Sequence, residues 1–399
     1  MLKQISLKKN GLNRLKSNHL ELRGDDIDFN IKSMHPGEWI YLVSQEGQWL
    51  GFINPLIDES LPQITILTTV TKLETTSNAD QIAQSYIHAR LEAAFNKRKL
   101  IKDYLQGCRL VYGHVDELPG LQVDLFLNAC FIQLNSAGLD RHREFIKSTL
   151  AKLTSVQCYF LDNPKYRAKE SLPIFETEKL PDIQIEENGL KLSVRSEVLQ
   201  KVGYYYDHRE NRRALIDLMK RLNHPFKEGI DLFSYVGSWG IHALSAGIEN
   251  LTFVDQGDFE IEIKNNLSLN QFKERGNYHR GDVFKFLDQC VIDQKKFDLI
   301  LSDPPAFAKS VGQKKGAIEG YHKLHRKVFK VAAPWSLIGF SSCTHYVGHE
   351  EFQQTIIDES LKEKRKIHLI YQGLQGWDHP IKSTMDRSNY IKSFFYIVE

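Results

Sequence analysis

Between Tyr204 and Ser342 the chain keeps a rhythm that few folds can accommodate. Helical periodicity over residues 208–222, 238–247, 258–271 and 320–333 alternates with strand-like apolar runs over 229–233, 251–255, 297–302 and 336–342. Strands separated by helices pair in parallel, because the helix carries the chain back to the same end of the sheet. Such a sheet needs helices on both faces. The pattern therefore predicts an open α/β domain whose ligands bind beyond the carboxyl ends of the strands.

The remainder reads differently. Two apolar runs, Trp39 to Val43 and Trp49 to Ile53, flank the turn Gln45-Glu46-Gly47 and suggest a hairpin in a small β-barrel. From Asn78 to about Leu105, Ile82, Tyr86, Ala89, Leu91 and Ala94 recur at helical spacing without Gly or Pro until Gly107. Strand-like segments follow at residues 109–112, 121–124 and 129–134, then a helix over 141–153. A chain of 399 residues exceeds one ordinary core. The expected division is a β-barrel over 1–72, a middle α+β domain over 73–188 and the α/β domain over 189–399.

No apolar run approaches the ~20 residues that span a bilayer, and the lysines of MLKQISLKKNGLNRLK precede no apolar stretch of the secretory kind. A cytoplasmic protein without a membrane partner is expected. Cys108, Cys130, Cys158, Cys290 and Cys343 lie at no zinc or iron–sulfur spacing, so no metal is expected and each should be a free thiol. Net charge is only +2, yet basic residues cluster: Lys3 to Arg23, then Lys97, Arg98, Lys99 and Lys102, then Lys309 to Lys330. Each cluster alone is a solvated face, whereas the three together suit a polyanion.

Four segments bear on chemistry. Asp231-Leu-Phe-Ser-Tyr-Val-Gly-Ser-Trp-Gly240 follows the first strand of the α/β domain, and Gly237 lets backbone approach a ligand. It lacks the G-x-G-x-x-G spacing that seats a pyrophosphate, which points to a nucleoside without phosphates. The next strand ends at Asp255, where a carboxylate can accept ribose hydroxyls, and Asp282-Val283 can read an adenine edge with a carboxylate and a backbone N–H. Either aspartate can equally be a helix cap. The fourth segment, Ser302-Asp303-Pro304-Pro305-Ala306-Phe307, has prolines that end the sheet ladder and fix Asp303 toward the cleft. Phe307 could stack on an extruded base, and Cys343, at the end of the fifth strand, is either a small buried hydrophobe or a nucleophile.

Together with Glu117-Leu-Pro-Gly-Leu-Gln-Val-Asp124, Gly203-Tyr-Tyr-Tyr-Asp-His-Arg209 and Asp378-His-Pro380, these segments resemble the bacterial 23S ribosomal RNA 5-methylcytosine methyltransferases. The resemblance covers most of the chain. It implies a PUA domain, a middle domain and a Rossmann-like class I methyltransferase domain with a mostly parallel seven-stranded sheet. It also implies S-adenosyl-L-methionine (SAM) held by Lys201, Gly203, Tyr204, Asp207, Arg209, Phe233, Ser234, Tyr235, Gly237, Asp255, Asp282, Val283 and Asp303. Cys343 would be the catalytic cysteine. The family's His-Pro-Trp pattern is replaced here by Ser17-Asn18-His19-Leu20, and its frequent lysine by Ala306.

The expected reaction is methylation of carbon-5 of a cytosine in large-subunit ribosomal RNA. Cys343 adds to carbon-6, and Asp303 stabilises charge at ring nitrogen-3. Pro304, Pro305, Phe307 and Lys309 would meet the acceptor, and Lys314, Lys315, Lys323, Arg326 and Lys327, with Tyr321 and His322, the flanking phosphates. Two rivals stand beside this: methylation of a base amino group, which needs no cysteine, and a non-catalytic RNA-binding protein on the same fold. A homodimer is a possible assembly.

Overall fold

The computed structural model describes every residue except 75–76, 177, 200–202 and 382–388. The chain forms two compact units, Met1–Ile183 and Gln184–Glu399.

The first unit contains a sheet of β1 (Lys3–Ser6), β2 (Glu21–Leu22), β3 (Glu38–Ser44), β4 (Gly47–Ile53) and β5 (Ile64–Val70) in the order β1-β3-β4-β5-β2. Here β1 runs parallel to β3 and the other pairs are antiparallel. Period-two alternation sends Ile40, Leu42, Ile53, Ile64 and Ile66 to one face, over Ile5, Leu22 and Ile31. It sends Trp39, Tyr41, Leu50 and Phe52 to the other face, against Ala83, Ile87 and Leu91 of a long helix. That helix, Ala79–Lys99, starts at a capping box between Asn78 and Gln81. α1 is Lys9–Lys16 and this long helix α2.

A second sheet, β6 (Cys108–Tyr112), β7 (Leu121–Leu125), β8 (Cys130–Leu134) and β9 (Cys158–Phe160), packs on the same helix. Helices α3 (Ala137–Asp140), α4 (Arg143–Thr154) and α5 (Pro164–Lys169) complete the unit. Residues 1–72 and 73–183, which the sequence pattern separates, thus share a core because the first sheet is apolar on both faces. Trp39 Nε1 donates to Gly138 O at 2.9 Å across them.

The second unit opens with the hairpin β10 (Ile183–Glu187) and β11 (Leu190–Val194), then α6 (Ser196–Leu199) and α7 (Arg209–Arg221). Among the described residues its main sheet has seven strands: β12 (Glu228–Leu232), β13 (Asn250–Asp255), β14 (Gly276–Arg280), β15 (Phe297–Ser302), β16 (Ala332–Ser342), β17 (Ile367–Gly373) and β18 (Lys392–Val398). Their order is β14-β13-β12-β15-β16-β18-β17. The first five are parallel, and β18 runs antiparallel to both neighbours. Helices α8 (Ser238–Ser245), α9 (Glu260–Leu269), α10 (Val283–Ile292), α11 (Lys314–Val331) and α12 (His349–Lys362) cover it.

Strand β14, Gly-Asn-Tyr-His-Arg, is a polar edge without alternation, and the sequence pattern misses it. Helix α11 begins six residues before the expected start because Gly316 and Gly320 interrupt the helical pattern. At Gly320 a Cβ would come within 3.1 Å of the Phe307 ring, so close packing accounts for that glycine.

Candidate active site at the carboxyl ends of β12, β13, β15 and β16

The turn from β12 into α8 is left-handed at Phe233 (φ 61°), Tyr235 (φ 49°) and Gly237 (φ 83°). Such backbone costs on the order of 1 kcal/mol at each non-glycine residue and persists only when its surroundings impose it. Here Ser234 N donates to Val254 O at 3.1 Å, Tyr235 N to Asp255 Oδ2 at 3.0 Å and Gly237 N to Ser234 O at 2.8 Å. The Tyr235 hydroxyl donates to Gly203 O, tying this turn to the segment before α7. Gly240 has another role from ligand approach: a Cβ there would lie 2.2 Å from the Phe253 ring, so it seats α8 on β13.

Asp255 stands at the end of β13 with Oδ1 accepting from Gly257 N at 2.8 Å. Asp282 caps α10, accepting from Lys285 N at 2.9 Å, and Val283 is buried behind it. Among the described residues, buried polar atoms without a partner include Asp231 Oδ1, Ser234 Oγ and Ser302 Oγ at the ends of β12 and β15, and Asp207 Oδ1 ahead of α7. Burial raises the Asp231 carboxyl well above the usual range, and the charges of Asp303 and Asp255 push it the same way. A buried unsatisfied acceptor costs about 1–3 kcal/mol, so this constellation suits a ligand that brings donors, such as an ammonium and ribose hydroxyls.

Tyr204 and Arg209 turn elsewhere. The Tyr204 hydroxyl donates to Glu187 Oε2 at 3.2 Å, and Arg209 Nε lies 3.6 Å from the same oxygen. Arg212 holds Glu187 through contacts of 2.5 and 3.0 Å, and His242 Nε2 is 3.4 Å from it. Although burial opposes it, the charges of Arg212 and His242 hold the Glu187 carboxyl down at about 2. This buried cluster anchors α7 and α8 to β10. Asp207 lies at its rim, accepting from Tyr390 OH at 2.7 Å. Lys201 lies outside the described residues.

On the acceptor side, Asp303 follows β15 with about a quarter of its side chain exposed. Its Oδ2 accepts from Trp239 Nε1 at 3.0 Å and its Oδ1 lies 3.5 Å from His208 Nε2. Pro304 is buried, Pro305 exposed and Phe307 half-buried, with its ring 4.8 Å from that of Tyr321. Lys309 is exposed.

Cys343 follows β16 and is half-buried. Its surroundings are acidic, where a nucleophile would gain from cations: burial, then the charges of Asp303 and Asp207, push its thiol up to about 12. One cation opposes them. Lys392, buried at the start of β18 opposite Ser342, donates to Thr344 O and to Val347 O, so its ammonium holds the turn that carries Cys343. Burial lowers Lys392 to about 8, while the charges of Cys343 and Glu351 raise it. A lysine heading the apolar run Ser393-Phe-Phe-Tyr-Ile-Val398 was its only sequence signal.

The structure corrects the basic clusters. Arg98 is fully buried, bonded to Asp116 at 2.8 Å through both terminal nitrogens, because it anchors α2 to the second sheet. Tyr321 is buried too, its hydroxyl bonded to Ser342 Oγ at 2.8 Å and Thr344 Oγ1 at 2.9 Å, so it supports the Cys343 turn and cannot reach phosphates. Lys314 pairs with Glu351, Arg326 and His322 with Glu359, and Lys327 with Asp288. Lys309, Lys315 and Lys323 stay exposed.

Comparison with known proteins gives the family. A family model described as Conserved hypothetical protein 95 matches residues 210–329. The Ribosomal RNA large subunit methyltransferase I of Shewanella frigidimarina is 31% identical over 366 residues, covering 89% of each chain. The chain belongs to the ribosomal RNA large subunit methyltransferase I family. The family's Enterobacter sp. member is 30% identical over 371 residues, covering 90% of both chains. Among solved structures, a Streptococcus mutans protein described as a candidate SAM-dependent methyltransferase superposes with TM-score 0.73 at 18% identity, covering 99% of this chain and all of that one. A structure of a candidate methyltransferase complexed with SAH aligns equally well over both whole chains, with TM-score 0.73 at 18% identity. These two show the fold alone, over the full chain.

Proposed function

We propose that this chain is a SAM-dependent methyltransferase of large-subunit ribosomal RNA that methylates carbon-5 of a cytosine through Cys343. The observation that carries the reading is the juxtaposition of two half-sites at one sheet edge. Among the described residues, buried polar atoms without a partner gather at the ends of β12 and β15, and Asp303 and Cys343 stand at the ends of adjacent strands.

In this reading Asp255 takes the ribose and Asp282 with Val283 N–H the adenine edge. Gly203, Ser234, Tyr235, Gly237, Asp207 and Asp231 enclose the amino-acid end. Phe233 shapes the wall, while Tyr204 and Arg209 brace it from behind through the Glu187 cluster. SAM, when bound, would supply an electrophilic methyl group to the cleft that Asp303 and Cys343 face. Carbon-5 of cytosine is a weak nucleophile, and covalent addition overcomes this. Cys343 Sγ bonds carbon-6 while the thiol proton passes to ring nitrogen-3, which places electron density on carbon-5. After methylation the carbon-5 proton passes to solvent, the carbon–sulfur bond breaks with its electron pair returning to sulfur, and the nitrogen-3 proton returns to the thiolate. Asp303 stabilises the charge at nitrogen-3.

The elevated Cys343 thiol fits a group that loses its proton only when the base is in place. Pro304, Pro305 and Phe307 form the wall against the base, and Lys309, Lys315 and Lys323 contact flanking phosphates. The five-stranded N-terminal sheet is read as a PUA-like RNA-binding module. Cys343→Ala tests the covalent step: transfer to RNA should vanish while SAM still binds, and full activity would reject it.

A further inference from the structure

The hydrogen-bond network fixes a tautomer beside the acceptor site. Asn211 Nδ2 donates to Leu374 O at 2.9 Å, and its Oδ1 accepts from Tyr371 OH at 3.2 Å, so the amide has one orientation. The second Nδ2 proton points at His208 Nδ1, 3.2 Å away. That nitrogen is therefore an acceptor, and the ring proton of neutral His208 sits on Nε2. Gly373 makes room for this arrangement: a Cβ there would overlap Asn211 Oδ1.

Among the described residues, His208 Nε2 is buried with no hydrogen-bond partner and lies 3.5 Å from Asp303 Oδ1. Its ring leans on Trp239 at 5.3 Å between centroids, and Trp239 Nε1 already donates to the other Asp303 oxygen at 3.0 Å. A contact of 3.5 Å is longer than a hydrogen bond, and catalytic bonds of this kind commonly tighten when substrate is present.

We propose that His208 is a positioning residue for Asp303, its Nε2–H joining Trp239 Nε1–H in a two-donor cradle that aims the carboxylate at the acceptor base. The inference rests on the methyl-transfer reading above and adds the reason the site selects cytosine. A carboxylate offers only acceptors to the cleft. It bonds the exocyclic amino group of neutral cytosine, but faces the lone pair of nitrogen-3. When Cys343 adds to carbon-6 and the thiol proton arrives on nitrogen-3, both ring-edge groups become donors to Asp303. The cradle thus favours the adduct over the free base, which is where binding energy accelerates a reaction. Uracil bonds the carboxylate once, through N3–H, but addition of Cys343 to it builds negative charge on O4, which the carboxylate repels.

The test uses the full chain with unmodified large-subunit RNA. His208→Phe should lower the transfer rate at saturating SAM about tenfold or more, a loss of about 1.4 kcal/mol, without changing SAM affinity measured by calorimetry. His208→Gln, whose amide can donate to Asp303, should recover most of that rate. Wild-type transfer by His208→Phe, equal loss in both variants, or a fall in SAM affinity matching the fall in rate would each overturn the proposal. Identifying the methylated atom on the wild-type product reads the underlying function separately. An exocyclic N-methyl product rejects the carbon-5 reading, whatever the His208 variants do.

Discussion

Trp239 and Asp303 are joined across the mouth of the sheet: the indole N–H at the start of α8 donates to the carboxylate that ends β15, at 3.0 Å. A residue in the donor-site turn thereby holds the residue assigned to the acceptor. Hydrogen bonds to a charged group contribute about 1.5–3 kcal/mol. Trp239→Phe keeps the apolar packing and removes the donor. Transfer at saturating SAM and RNA should fall about tenfold or more with little change in thermal midpoint, and an unaltered rate would show the bond to be incidental.

The Cys343 thiol makes a prediction about its own reactivity. Burial and the charges of Asp303 and Asp207 push it up to about 12, and the Lys392 ammonium pulls the other way. Alkylation of Cys343 by iodoacetamide, followed by peptide mass spectrometry, should be slow at neutral pH and still rise at pH 10, where an ordinary thiol of pKa about 8.5 has levelled off. Lys392→Met should slow it further. A plateau at or below pH 8 would contradict the acidic environment.

How much of this was legible beforehand follows from where the signals lie. Strands β12, β13, β15 and β16 were readable because they are apolar runs between amphipathic helices, and Asp255, Asp282, Asp303 and Cys343 all fall at the strand or helix ends where such folds carry function. Strand β14 was not, because an edge strand buries too little to show a pattern. Arg98 and Tyr321 were misread because a buried arginine with its aspartate, or a tyrosine bonded to two hydroxyls, looks in sequence like surface polarity. His208, Asn211 and Lys392 escaped because their significance lies in partners far away in the chain.

Arg212 and Glu187 form a fully buried pair that joins α7 to β10. Removing one partner of such a pair strands the other charge and costs about 3–5 kcal/mol. Arg212→Met should lower the urea midpoint accordingly, whereas Arg213→Met, on the exposed face of the same helix, should leave it within about 0.5 kcal/mol. Equal midpoints for the two variants would remove the anchoring role of Glu187.

Two buried histidines set an acid limit. Burial lowers His242 to about 4 and His325 to about 3. In the unfolded chain both protonate near 6.5, so below that pH the unfolded state takes up protons that the folded state refuses. The stability they confer is complete above pH 6.5 and declines as pH falls toward 4, by on the order of a few kcal/mol. Urea unfolding at pH 7.5 and pH 5 should show the loss, and His325→Gln should reduce the difference between them. A pH-independent midpoint over this interval would contradict the assignment.

Asp255 should govern the donor half alone. Asp255→Ala removes the carboxylate at the end of β13 and should weaken SAM binding about tenfold to a hundredfold, equivalent to about 1.4–3 kcal/mol. Calorimetric titration checks this, and unchanged affinity would move the ribose site elsewhere.

The central claim is that a cysteine-bearing site methylates a ring carbon of cytosine. Unmodified large-subunit RNA, incubated with the full chain and SAM carrying an isotope-labelled methyl group, can be digested to nucleosides and resolved by mass spectrometry against standards. The account predicts label in 5-methylcytidine with the wild-type chain and none with Cys343→Ala. Label in an N-methylated nucleoside, or in any nucleoside with Cys343→Ala, would contradict it.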